Sequence, residues 1–148
     1  MKDFKQDTYT TFCGTAEEWT DLKKKFDSDE KASVIDLRTV NESGGEKLAD
    51  LPEVWNYQRI PLTGKTVSEQ DVDVFRREQR RHGKLIVVAK TEARGGLLAM
   101  ADNCRRERTL LPDTEVALLS GAVEEKDLQE WLNQYLTRHQ TTDEVGEY

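Results

Sequence analysis

Arg94 is the residue whose setting could do chemistry. It follows the apolar run Leu85-Ile86-Val87-Val88-Ala89 and the short polar stretch Lys90-Thr91-Glu92-Ala93. It precedes Gly95-Gly96 and the small apolar residues from Leu97 to Ala101. The apolar run suits a strand buried on both faces, and the segment from Gly95 to about Glu107 suits a helix. A strand, a tight loop and a helix N-terminus together make an anion site. The first backbone N–H groups of a helix lack internal acceptors, and the helix dipole adds partial positive charge there. A guanidinium at that turn can hold a phosphate or sulfate through two parallel hydrogen bonds. The candidate anion-binding residues are Lys90, Thr91, Glu92, Ala93, Arg94 and Gly95, with Arg38 from the loop after an earlier strand. The plain alternative is that Arg94 is a solvated residue at a helix start.

The rest of the chain must position that loop. Tyr9 to Cys13, Ser33 to Leu37 and Val54 to Ile60 read as further strands, rich in β-branched and aromatic residues. Between them lie helical patterns. Thr15 with Glu18 forms a capping box ahead of Trp19, Leu22 and Phe26, which recur at helical spacing over 16–26. Thr66 with Glu69 opens a second helix to about His82, closed by Gly83. One or two helical turns are expected over 46–51, and a short helix over 113–120 or, alternatively, a strand across Val116 to Leu119. The clearest helix is Glu124 to Arg138, where Leu128, Trp131, Leu132, Tyr135 and Leu136 form one apolar stripe. The segment 39–45 reads as loop. Alternating strands and helices predict an α/β fold, a mostly parallel sheet of four or five strands with helices on both faces. Ligands in such sheets bind beyond the carboxyl ends of the strands. The loops after Leu37, Ile60 and Ala89 should meet there, bringing Arg38, Thr63, Gly64, Lys65, Lys90, Thr91 and Arg94 to one edge. The expected organisation is a flexible lead-in over 1–8, one domain over 9–138 and a polar tail over 139–148.

Composition narrows the function. The formal charge is 22 − 29 = −7, which argues against nucleic acid as a general partner. The basic residues Arg76, Arg77, Arg80, Arg81 and Lys84 fall toward a helix C-terminus, where the dipole favours cations. Lys23 to Lys25 read as a solvated helix end. There is no apolar run long enough to span a membrane and no apolar signal core in 1–8, so a cytoplasmic protein is expected. Cys13 and Cys104 read as small buried hydrophobes rather than a disulfide. The two histidines, His82 and His139, sit apart, and no Cys/His spacing suggests zinc. Neither a cofactor nor a metal is expected.

The segments Val34-Ile35-Asp36-Leu37-Arg38 and Ile60-Pro61, the helix from Thr66, and the strand-loop-Arg94-helix unit carry a resemblance running from about Thr10 to about Leu136. The chain resembles the bacterial tyrosine/dual-specificity-phosphatase-like family often labelled beta-lactamase-hydrolase-like protein. The resemblance implies a cysteine-phosphatase-like fold in which the strand ends at a cysteine nucleophile, a glycine lies in the loop and an arginine closes it. Rhodanese-type sulfurtransferases use a similar loop. Arg94 matches the family arginine. The cysteine position falls on Ala89, or on Val88 if the loop is one residue longer. The glycine position falls on Glu92 or Thr91, and Gly95 stands where a hydroxyl residue commonly follows the arginine. The loop 61–65 contains no aspartate to act as general acid, and Asp71 and Asp73 lie on the next helix. A cysteinyl-phosphate route needs a nucleophile that ionises cheaply, and alanine or valine cannot supply one.

Three functions remain. The first is a catalytically inactive phosphatase-like protein with an oxyanion-binding loop, in a binding or regulatory role. Its ligand would be phosphate, sulfate or a phosphorylated molecule. The second is a hydrolase of altered mechanism, with Thr91 attacking, Glu92 as base and Arg94 holding the phosphoryl group. Glu92 would equally repel the anion there. The third is a plain protein-interaction module.

Overall fold

The computed structural model describes residues 1–6 and 9–146. Five strands form one sheet: β1 (Lys2–Gln6), β2 (Tyr9–Thr15), β3 (Ser33–Asp36), β4 (Asn56–Arg59) and β5 (Lys84–Ala89). Their spatial order is β1-β2-β5-β3-β4. The β1–β2 pair is antiparallel and the other three pairings are parallel. The apolar run of β5 is the reason it sits inside the sheet, where a strand needs apolar side chains on both faces. The register aligns Val87 with Cys13 on one side and Ile35 on the other.

Side chains alternate across the sheet, and each face has its own core. Leu85, Val87 and Ala89 join Cys13 and Ile35 on one face. There they meet α3 (Glu69–Arg81), α4 (Glu92–Glu107) and α6 (Lys126–Gly146). Ile86 and Val88 join Val34 on the other face, under α1 (Trp19–Lys23) and the side chains of Phe26, Leu48 and Trp55. The α/β class, the mostly parallel sheet and the helices on both faces are therefore present. The second face is the thinner, because a three-residue 3₁₀ turn at Ala16–Glu18 and the short α1 occupy the span expected to be one helix to Phe26.

Several boundaries differ from expectation, each for a local reason. Residues 2–6, expected as a flexible lead-in, pair with β2 as an edge strand, and Phe4 packs against the main core. The segment 39–45 contains the four-residue helix α2 (Val40–Ser43), and 46–51 contains none. Thr39 caps α2 by accepting from the Glu42 N–H at 3.3 Å, and Glu42 returns a carboxylate to the Thr39 N–H at 2.9 Å. Gly44, at φ 66°, stops the helix in a conformation that glycine adopts without strain. For α3 the capping residue is Ser68, paired with Asp71, and Thr66 instead closes a turn with Thr63. The short α5 (Asp113–Val116) precedes a run of turns, and α6 continues to Gly146 through most of the expected tail.

The largest difference lies at the loop. Helix α4 begins at Glu92 with Thr91 as its cap, so Lys90 and Thr91 alone separate it from β5. Arg94 is inside the first turn of the helix. Gly95 and Gly96 then let α4 lie close to its neighbours. A Cβ on Gly95 would stand 2.8 Å from Val87 Cγ1, and one on Gly96 would stand 3.1 Å from Leu119 Cδ2.

Candidate functional site

The site builds outward from Arg94, whose side chain is 5% exposed. The short β5–α4 connection turns it toward two other connections at the carboxyl edge of the sheet. One is α2, which follows β3 and carries Glu42. The other is the stretch just before α6, which carries Glu125. Arg94 Nη1 donates to Glu42 Oε1 at 2.7 Å and Nη2 to Glu42 Oε2 at 3.0 Å. Its Nε donates to Glu125 Oε1 at 3.1 Å, and Nη2 lies 3.0 Å from the same oxygen. One guanidinium thus meets two carboxylates, one of them in the bidentate geometry that suits a phosphate as well.

The helix start is equally occupied. The Ala93 N–H donates to the Ser120 carbonyl at 3.1 Å, and the Arg94 N–H donates to Thr91 Oγ1 at 3.3 Å. The Thr91 hydroxyl donates to Glu125 Oε1 at 2.9 Å. Glu92 Oε2 takes the ammonium group of Met1, which also bonds Glu18 Oε2 at 2.7 Å. The turns leading to Glu125 close over this loop. A Cβ on Gly121, which sits at φ 80°, would lie 2.7 Å from Thr91 Cβ.

The electrostatics follow from the contacts. Hydrogen bonding to Arg94 holds the Glu42 carboxyl far down, from an ordinary 4.5 to about 2. Burial works against the charge on Arg94, but its bonds to Glu42 and Glu125 outweigh burial and push its pKa up. Arg94 and Glu42 are therefore both ionised throughout the neutral range. The cluster of one guanidinium and two carboxylates carries a net negative charge, the opposite of what an incoming oxyanion needs.

The other expected residues do not converge here. Lys90 is exposed, with Nζ 4.0 Å from Glu124. Gly95 faces Val87 and Cys13 instead of the loop. Arg38 serves a separate cluster. Its Nε and Nη2 donate to Asp36 Oδ1 and Oδ2 at 2.9 and 2.8 Å, and Tyr57 adds its hydroxyl to Asp36 Oδ2 at 2.7 Å. Burial and then the bond to Asp36 push the Tyr57 phenol up to about 12. In the loop after β4, Gly64 is wedged against α6, where a Cβ would come within 2.5 Å of the Leu128 nitrogen. Burial raises the Cys13 thiol well above its ordinary value, leaving it inert beneath α4.

Glu42 and Glu125 are the partners that sequence reasoning missed. The spacing Thr39-x-x-Glu42 is a legible capping box. It would have placed Glu42 on a helix beyond β3, at the edge where Arg94 was expected. Glu125 carried no comparable signal. Among the described residues, no group of His, Cys, Asp and Glu could hold a metal ion, and no helix is long and apolar enough to cross a membrane. Comparison of the chain with protein-family models, curated proteins and solved structures gave no match.

Proposed function

We propose that this chain is a catalytically inactive protein of cysteine-phosphatase-like build, acting by binding rather than turnover, with its oxyanion site filled by its own carboxylates. The observation that carries the reading is the double engagement of Arg94 by Glu42 and Glu125. A phosphate, sulfate or phosphorylated ligand would have to take the two N–H groups now given to Glu42. Glu42 is the replaceable partner: its side chain is 16% exposed on a four-residue helix, whereas that of Glu125 is 5% exposed. The positions that would carry the nucleophile in such a build do not support turnover. Ala89 and Val88 are inert, and the Thr91 hydroxyl is bonded to a carboxylate that Arg94 already neutralises. A carboxylate so paired is a weak base.

The test has two parts. Aryl-phosphate hydrolysis should stay at background, and steady turnover abolished by Arg94→Ala would overturn the reading. Tungstate titrated into labelled protein should leave the amide resonances of residues 91–95 in place in the wild type and shift them in Glu42→Ala. If Glu42→Ala is equally silent, the loop is no oxyanion site and the interaction-module reading replaces this one.

A further inference from the structure

Where α3 packs on α4, charge is met from within. The fully buried Asp102 accepts from Arg76 Nε at 2.6 Å and from Arg80 Nη2 at 3.0 and 3.1 Å. Strand β1 differs. It is one edge of the sheet, with β2 on its inner side. Asp3 and Lys5 are exposed on it, and neither side chain is in an ion pair among the described residues.

The register fixes which backbone groups that edge offers. The Thr10 N–H donates to the Gly83 carbonyl at 2.8 Å, so Thr10 turns its backbone toward β5. Successive residues of a strand turn theirs to opposite sides. Thr11 therefore faces β1, where its partner is Phe4. Phe4 turns its backbone inward, and the N–H and C=O groups of Asp3 and Lys5 point out from the free edge. Beside this edge lies a groove of about 630 Å³, bounded by residues 3–5 and by Met100, Cys104, Leu110 and Pro112. Phe4 lines it on the face of the main core, and Leu110 is 49% exposed.

We propose that β1 is the seat of a symmetric dimer, pairing antiparallel with β1 of a second copy of this chain. Charge selects the register. A two-fold axis at Asp3 would set Asp3 against Asp3, and one at Lys5 would set Lys5 against Lys5; both are repulsive. An axis at Phe4 sets Asp3 against Lys5 of the second copy and Lys5 against its Asp3. Each pair then exchanges two backbone hydrogen bonds and matches opposite charges. The two Phe4 residues become a close, non-hydrogen-bonded pair. Directly opposed residues lie on the same side of a sheet, so the second Phe4 falls over the groove, toward Leu110 and the apolar groups of α4. The two-fold axis repeats the contact on the other copy. Charges on an edge strand commonly guard it against pairing. Here they are opposite in sign and two residues apart, so they disfavour two registers and favour a third.

Sedimentation equilibrium of the full chain at about 0.15 M salt, where overall charge repulsion is screened, tests the proposal. The wild type should form a dimer whose fraction rises with concentration, as suits a small interface. Asp3→Lys and Lys5→Asp each place like charges opposite one another and should weaken self-association by about tenfold or more. Asp3→Lys also lowers the net negative charge, so a loss there cannot come from overall repulsion. Mixing the two variants should restore a dimer containing one of each. Lys5→Pro removes an outward N–H without touching the ladder to β2, and should give a monomer with the wild-type circular-dichroism spectrum. A wild type that stays monomeric up to about 1 mM would overturn the proposal. So would a dimer that survives in both charge variants, or a mixture of the two that does not associate.

Discussion

The Arg94 and Asp102 clusters are near mirror images in charge, and they differ in who can reach water. At Arg94 a single cation holds two carboxylates, with side-chain exposures of 16% and 5%. At Asp102 a single anion holds two guanidiniums, with exposures of 23% and 36%. The first cluster ties together the connections after β3, after β5 and before α6, and its partners end inside the protein. The second ties α3 to α4, and its long arginine side chains end at the surface. Removing the centre of a buried ion cluster strands whatever charge cannot turn outward. The centre at Arg94 should therefore matter more to the fold than the centre at Asp102.

The largest expected effect comes from Arg94→Met. It strands Glu125 and leaves Thr91 bonded to an uncompensated carboxylate, so the loss should be about 3–5 kcal/mol in denaturant unfolding. A loss no greater than that of Asp102→Asn would break the contrast. Gly95→Ala asks whether the cluster depends on the close approach of α4 to β5. Its methyl would meet Val87 Cγ1 at 2.8 Å, and overpacking of this kind costs about 1–3 kcal/mol.

Asp102→Asn should cost about 1–2 kcal/mol, because the released guanidiniums can turn to water while the amide keeps one acceptor. Glu42→Gln should cost about 1 kcal/mol at neutral pH, and its pH dependence is the sharper test. Glu42 is depressed in the folded state from 4.5 to about 2. A depressed carboxyl contributes in full above its unfolded value and loses that contribution as pH falls through the folded one. The difference in stability between wild type and Glu42→Gln should therefore shrink between pH 4.5 and about 2. A constant difference across that window would show that Arg94 does not hold Glu42 in solution. The smallest effect belongs to Lys90→Ala, below about 0.5 kcal/mol, since that lysine and its partner Glu124 are 58% and 61% exposed.

Much of the fold was legible because it depends on local chemistry. The uninterrupted apolar run at 85–89 announced an inner strand, and the stripe from Leu128 to Leu136 announced a core helix. Helix starts were less legible, because two capping signals competed near Thr66 and Ser68, and the Thr39–Glu42 pair is short. The strand at 2–6 was missed because its residues are mostly polar, as suits an edge strand. At the candidate site, Arg94 could be singled out from its place after a buried strand. What it touches could not be read.

The sequence by itself determined the alternation of strands and helices from residue 9 onward, the burial of β5 and the residue types at positions 88 and 89, because each depends on residue type and on spacing within a few positions. Tertiary structure alone decided that Arg94 faces Glu42 and Glu125, 52 and 31 residues away. It also decided that Asp102 gathers arginines from α3. The physical reason is the range of the interactions. Hydrophobic period and capping act between chain neighbours, whereas a charge pairs with whichever opposite charge the packed connections bring within about 4 Å.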